Sequence, residues 1–420
     1  MKWSTQAIRD ASRRGDYGRV VKLARVAAGV SQKQLGEACG LSQSAVSRME
    51  GHGTGTYNMT LLARAATHLH IPPRLVGLAD HTAATAAPVD GTDVERRNFL
   101  AGAAAVATAT ALPPALTPHP PAGDGQVATL RLATSAFRRM DGWTPSRQLS
   151  EPVLAHLRLT QTIASEAEHE EQRARLAAAG SEAASLAGWL AWDMGDAGSA
   201  RTWYGTAVKA ARRAGNPLLT AYQLGSLAQF EAHAGNAPQA LDLVREARRQ
   251  LGGSRLAIAD AWLATVEALA HSAAGDTEST DTALAAAERS VERIAVEEPP
   301  PWPWVFTFSG SKVAACRLSC GARLGLPTWV FGAQDDAAGV LSSGHDKQRA
   351  LLLLDVASGH MAAGRLDGAF AVATRAVETG LRYRSGRIVE RARALRRGFT
   401  SATPPKVVRD FDERLHGVYL

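Results

Sequence analysis

Apolar and polar residues follow a helical rather than a strand period along most of this chain. Near the start, Ser31 precedes an apolar stripe of Leu35, Ala38 and Cys39, which predicts a short helix with Ser31 as its N-cap. Gly40 permits a tight turn, Leu41 plugs the junction and Ser42 caps a second short helix. On that helix Ala45, Val46 and Met49 face inward, which leaves Gln43, Ser44, Ser47 and Arg48 outside. Two helices crossing through a glycine turn form the motif whose second helix enters the major groove of DNA. Further on, residues 127–398 predict helices almost without interruption, and the breaker Pro404-Pro405 precedes one more amphipathic helix, Val407 to Leu415.

The long helical region repeats. Met194-Gly195-Asp196, Ala234-Gly235-Asn236 and Ala274-Gly275-Asp276 place a glycine turn every 40 residues. Ala363-Gly364-Arg365 is a later copy and Leu324-Gly325-Leu326 a degenerate one. Five residues after each clear glycine comes a small residue (Ala200, Ala240, Thr280, Ala369), and seven beyond that an alanine (Ala207, Ala247, Ala287, Ala376). Glycine ends the first helix at positive φ, and the small residues let a second helix cross it closely, with Tyr204, Val244 or Leu284 filling the space between. One such hairpin cannot bury its own apolar face, so a stacked α-solenoid is expected. The pattern resembles tetratricopeptide repeats, although its period is longer than that family's.

Composition divides the chain into a 1–16 N-terminal arm, a 17–80 head, an 81–126 linker rich in Ala, Thr, Pro and Gly, a 127–398 repeat body and a 399–420 terminal helix. The fold class is all-α. With 47 basic and 40 acidic residues the chain carries +7. Eleven basic and five acidic side chains fall within residues 1–80, so the excess there is +6 and the body is nearly neutral. A small basic head on a neutral body suits a polyanion partner.

The head resembles the Xre/Cro family of phage-repressor-like helix-turn-helix domains across residues 17–79. Gln32, Leu35, Gly36, Gly40, Val46 and Glu50-Gly51 stand where that family has Gln, Leu, a small residue, Gly, Ile or Val, and Glu-x-Gly. Leu61 to Ala66 and Ile71-Pro72 to Leu75 match its two closing helices, which implies a five-helix domain. The resemblance implies double-stranded DNA as partner and Gln32, Ser42, Gln43, Ser44, Ser47 and Arg48 as its contacts. Gln32 would touch phosphate and brace the second helix, Gln43 and Ser44 would read base edges, and Ser47 and Arg48 would add groove and backbone contacts. Gly36 replaces the usual Ala and is expected to loosen its helix slightly. The loop Gly51 to Thr56 lacks the family's proline and is expected to be more mobile.

Other chemistry is sparse. Three cysteines exclude a disulfide scaffold and fit a reducing compartment, so a cytoplasmic location is expected. Cys316 and Cys320 have no His partner at metal spacing and read as small buried thiols, as does Cys39. His68-Leu69-His70 reads as incidental, and the run Glu166-Ala167-Glu168-His169-Glu170-Glu171 as a solvated face. No catalytic constellation, metal site or cofactor motif is apparent, so a non-enzymatic protein is expected. Arg96-Arg97-Asn98-Phe99-Leu100 has the look of a twin-arginine export signal, but it lies too deep in the chain and reads as linker. No apolar run has the length of a membrane span.

Eight of the nine tryptophans lie after residue 140. Most of these aromatics read as fillers of an Ala-rich core, but Trp302 and Trp304 flank prolines in a segment that interrupts the repeat, which makes them the candidate effector groove. The expected function is a DNA-binding transcriptional regulator whose body senses a peptide, small molecule or protein, working as a homodimer through that body. The alternative is a non-enzymatic adaptor or scaffold whose head serves assembly.

Overall fold

The computed structural model describes residues 5–53, 57, 59–77, 124–253, 256–294, 302–341, 344–401 and 403–418. Every regular element among them is a helix. They separate into two compact units, one centred on Tyr17–His52 and one on Val127–Leu420. The expected linker, with Arg96 and Arg97, lies outside the described residues apart from its last three positions, which are helical. Residues 54–56 and 58 of the loop after the motif lie outside them too.

The segment expected as an arm contains a helix, α1 (Gln6–Arg13). Its Ile8 and Ala11, three positions apart on one face, are both buried. The head follows as α2 (Tyr17–Ala27), α3 (Gln32–Cys39), α4 (Gln43–Glu50) and α5 (Met59–His68). Its fifth helix is a short 3-10 helix, Pro73–Val76. Leu75 N–H bonds back to the Pro72 carbonyl at 2.8 Å and closes the turn. Leu35, Val46, Leu62 and Val20 are fully buried and form the core of the head.

The body runs through α6 (Asp124–Met140), α7 (Ser146–Glu166), α8 (Glu170–Asp193), α9 (Ala197–Arg213), α10 (Pro217–His233), α11 (Ala237–Leu251), α12 (Ala257–Ala274) and α13 (Thr277–Val291). It continues through α14 (Gly310–Leu324), the short α15 (Pro327–Gly332) and α16 (Ala338–Leu341), then α17 (Asp346–Ala362), α18 (Leu366–Arg382), α19 (Gly386–Arg397) and α20 (Lys406–Leu415). The hairpin turns fall where the repeat places them. Gly195, Gly235, Gly275, Gly325 and Gly364 all have φ between 69° and 87°. After each of the first three stands Asp or Asn as N-cap, and the Asp196 and Asp276 side chains accept from the N–H groups of Ser199 and Ser279.

The eight small residues of the repeat are all fully buried, and Tyr204, Val244 and Leu284 fill the intervening positions. Close crossing of paired helices therefore repeats along the body, as the spacing predicts. The degenerate copy at Gly325 leads only into the six residues of α15 before the chain turns again. In the last hairpins, Phe370 of α18 meets Phe411 of α20 edge-on at 5.1 Å, so the terminal helix caps the end of the stack.

Beyond simple stacking, the first helices of the body meet the last. Lys347, at the start of α17, reaches Asp141, Ser146 and Asp193 with its ammonium. Ser146 donates to Asp193 at 2.7 Å, Ser385 donates to its other oxygen at 2.6 Å, and Trp189 donates to Asp141 at 2.7 Å. All of these groups except Trp189 are buried. The network joins positions about 150 to 200 residues apart in sequence and closes the body around its interior.

Candidate nucleic-acid interface and body cavity

In the head, the polar groups that hold the motif are distinct from those it presents. Ser31 caps α3 by accepting from Gln34 N–H at 3.2 Å, and the Gln34 side chain accepts in return from the Ser31 backbone N–H, a full capping box. Gly40 ends α3 at φ 68°, and Ser42 starts α4 by accepting from Ala45 N–H at 3.2 Å. Val46 is buried, Ala45 and Met49 are half-buried, and Gln43, Ser44, Ser47 and Arg48 are exposed side by side on α4. Ser42 is exposed beside them, its hydroxyl 2.9 Å from that of Ser44.

Gln32 has a different post. Its amide donates to Glu50 at 2.8 Å, and the same buried carboxylate takes a two-pronged bond from Arg25 at 2.5 and 3.0 Å. The end of α4 is thereby clamped to both α2 and α3. Arg25 and the buried state of Glu50 were not singled out from sequence, where a charged residue at a helix end reads as solvated. A Glu one turn past a buried Val was the available signal.

Two details of α3 differ from expectation. Ala38 is exposed, and Gly36 is buried in its place. At about 3.6 residues per turn, positions 35, 36 and 39 share an arc that 38 falls outside. A methyl group on Gly36 would sit 2.6 Å from the Leu41 carbonyl oxygen. The glycine is thus what lets α3 approach the turn, and it does not merely loosen the helix.

The body holds a cavity of about 810 Å³. One wall is aromatic: Tyr222 stacks on Trp262 at 5.1 Å, and Trp304 stands edge-on to them at 5.2 and 6.0 Å. Trp304 is buried, and its indole N–H has no acceptor among the described residues. Trp302 is placed elsewhere. It donates to Glu182 at 2.8 Å and lies under the Arg131 guanidinium at 4.2 Å, which pins the segment after α13 to α8.

Cations occupy the other walls. The Arg387 guanidinium lies 3.4 Å from the Trp192 ring centre, and Lys312 stands 5.8 Å from both Phe306 and Phe308. Burial, with Arg391 nearby, pushes the Arg387 pKa down to about 10, and burial lowers that of Lys312. His233, against Trp192 at 5.1 Å, is held well below the usual imidazole range by burial and by the charges of Arg387, Arg323 and Arg391. Cys316 also lines the cavity, its sulfur 4.0 Å from that of Cys320, and that neighbour together with burial raises its thiol pKa. A thiol so raised stays protonated and is a poor nucleophile. His68, His70 and the acidic residues of the 166–171 run are exposed. Among the described residues, no three metal-ligating side chains converge and no helix is long and apolar enough to cross a membrane.

Comparison with known proteins bears on the head. Residues 16–78 match the family model described as "Helix-turn-helix domain". The head is a helix-turn-helix domain. Its α3 and α4 are the two helices of the motif, and the Gly40 turn joins them. None of the curated proteins compared with the chain matches it. Among solved structures, that of Bacillus thuringiensis PlcR in complex with the peptide PapR7 and DNA is similar at 18% identity, over 80% of this chain and 98% of that one. The TM-score of 0.36 is too low for residues to be transferred between the two chains.

Proposed function

We propose that the chain is a sequence-specific DNA-binding transcriptional regulator, in which the helix-turn-helix domain reads duplex DNA and the helical body senses an effector through its cavity. One observation carries the reading. The outer face of α4 presents Gln43, Ser44, Ser47 and Arg48 together, with Arg48 free of any ion pair among the described residues, while the apolar side of the same helix is turned inward. Glutamine suits adenine and arginine suits guanine in the major groove, and Ser42 at the start of α4 lies where a helix N-terminus meets phosphate. Gln32 braces α4 through Glu50, at the opposite end of the helix from Ser42, and a phosphate contact from Gln32 is part of the proposal. The +6 of residues 1–80 supplies the long-range attraction.

A single head spans few base pairs, so two heads on a palindrome are needed for high specificity, and the body is the part large enough to pair them. The effector, whether peptide, small molecule or protein, would act by binding two arrangements of that pair with different affinity.

Fluorescence anisotropy with the chain's own upstream DNA and with random duplex, across a salt series, tests the reading. The expected result is a preference for the upstream DNA and a steep loss of affinity with salt. Gln43→Ala/Arg48→Ala should remove the preference, at about 1–3 kcal/mol for each base no longer read, and leave the residual binding salt-dependent. Equal affinity for both duplexes in the unaltered protein would leave the head as an assembly module and end the regulator reading. Sedimentation at micromolar concentration checks the pairing, for which a strictly monomeric chain is the contrary result.

A further inference from the structure

The cavity carries more positive charge than its own surroundings neutralise. Asp141 is taken up by Lys347, and Asp355 by Arg391 together with Ser319, whose hydroxyl donates to it at 2.6 Å. Those are the two carboxylates in the wall. Arg387, Arg138 and Lys312 also line it, and none of them has a carboxylate within ion-pair distance among the described residues. Arg387 rests on the faces of Trp192 and Trp189, and Asp193 and Asp355 act on it only from beyond ion-pair distance. Arg138 reaches only the Tyr222 hydroxyl at 3.4 Å and the Glu182 backbone carbonyl at 3.2 Å, because the Glu182 carboxylate is held by Arg131 and Trp302. Lys312 bonds to the Thr307 carbonyl at 2.5 Å.

A half-buried guanidinium with no carboxylate at ion-pair distance is costly, and the aromatic face beneath Arg387 offsets only part of that cost. The arrangement lacks an anion. Arg387 and Arg138 line the same cavity, and Arg138 reaches the hydroxyl of Tyr222 in its aromatic wall. The stacked Tyr222 and Trp262 and the edge-on Trp304 lie in the same wall as Arg138's hydroxyl partner and offer a flat apolar surface. A volume of about 810 Å³ suits a ligand of small-molecule size.

We propose that this cavity binds a small organic acid, its flat apolar body against Tyr222, Trp262 and Trp304 and its carboxylate held by Arg387 and Arg138. This names the ligand class for the effector site and so rests on the reading of the cavity given above. A carboxylate accepts the forked guanidinium N–H groups in its own plane, and charge-assisted bonds of that kind, formed out of water, are stronger than those to a neutral carbonyl. A neutral ligand of the same shape would fill the aromatic wall and leave both guanidinium groups without a counter-ion.

Isothermal titration of the full-length chain with naphthalene-1-carboxylate and with naphthalene-1-carboxamide separates charge from shape. The acid is expected to bind at least about tenfold more tightly than the amide. Arg387→Gln should abolish that preference, Arg387→Lys should keep part of it, and Arg138→Gln should reduce it, with far-ultraviolet circular dichroism confirming that each variant is folded. Equal binding of acid and amide, no binding of either, or a preference that survives in the folded Arg387→Gln/Arg138→Gln variant would each overturn the proposal. DNA affinity measured with and without the acid keeps the two readings apart. Binding of the acid that leaves DNA affinity unchanged supports the site and counts against its regulatory role.

Discussion

The head and the body solve opposite problems with the same helical material. The helix-turn-helix domain is a contiguous stretch whose candidate DNA-contacting side chains point outward from one eight-residue helix. Its buried carboxylate, Glu50, bonds to the half-buried Arg25 and Gln32 and holds that helix in place. In the body the relation is reversed. Its candidate functional groups point inward and come from helices as distant in sequence as α6 and α19. A surface reader needs short-range order around one helix. A cavity lined from many helices depends on long-range contacts across the body.

The closing network offers the sharpest way to break that contrast. Lys347→Met removes the cation that Asp141 and Asp193 share and leaves two carboxylates in a buried site. A loss of about 3–5 kcal/mol in the stability of the body is expected, since removing one partner of a buried pair strands the other. Chemical denaturation followed by tryptophan fluorescence measures it, because Trp189 bonds directly to Asp141. DNA binding by the head should survive. Failure of both together would show that the two regions are not independent in the way their internal contacts suggest.

A smaller effect probes the head alone. Gly36→Ala ordinarily strengthens a helix, yet here the added methyl would meet the Leu41 carbonyl oxygen at 2.6 Å. The expected outcome is destabilisation of the head by about 1–3 kcal/mol, as in other overpacked sites, with weaker DNA binding because α4 and its cap follow directly after Leu41. Thermal unfolding of a 1–80 fragment against the same fragment unaltered would reveal a gain instead if the turn can yield.

Acid gives the smallest signal and sorts the two regions once more. Burial lowers the pKa of His233 and His156, both in the body. Their folded values lie below the unfolded one, so the unfolded chain binds protons first as the pH falls. The stability they provide is complete above the unfolded value near 6.5 and is lost as the pH drops below it toward their folded values. Each can contribute a slope of up to about 1.4 kcal/mol per pH unit. Denaturation between pH 7 and 5 should therefore weaken the body, and His233→Asn should flatten that dependence. In the head, His52, His68 and His70 are exposed.

How much of this was legible from the chain depended on how far apart the cooperating residues lie. Ser31, Gly40, Ser42 and Val46 announce the motif because caps, turns and helix faces are set within a few residues. The outward face of α4 follows from the same local periods. Gly36 was misread because its neighbour across the turn is a backbone oxygen, which no side-chain pattern reveals. In the body, the 40-residue spacing placed the turns at Gly195, Gly235 and Gly275, and the small residues on the helices that follow are indeed buried. Trp302 and Trp304 looked equivalent in sequence, yet one pins the chain to Glu182 and the other joins an aromatic wall.

By itself, then, the sequence determined the all-α class, the helix-turn-helix with its outward Gln43, Ser44, Ser47 and Arg48, and the rhythm of the repeat, since each rests on backbone geometry and contacts between near neighbours. Only the tertiary structure decided that Lys347 closes the body onto Asp141 and Asp193, and that Arg138, Lys312 and Arg387 face one cavity without carboxylate partners. A solenoid passes its curvature from one hairpin to the next, and small rotations summed over many hairpins set which distant residues meet. No local pattern along the chain encodes that sum.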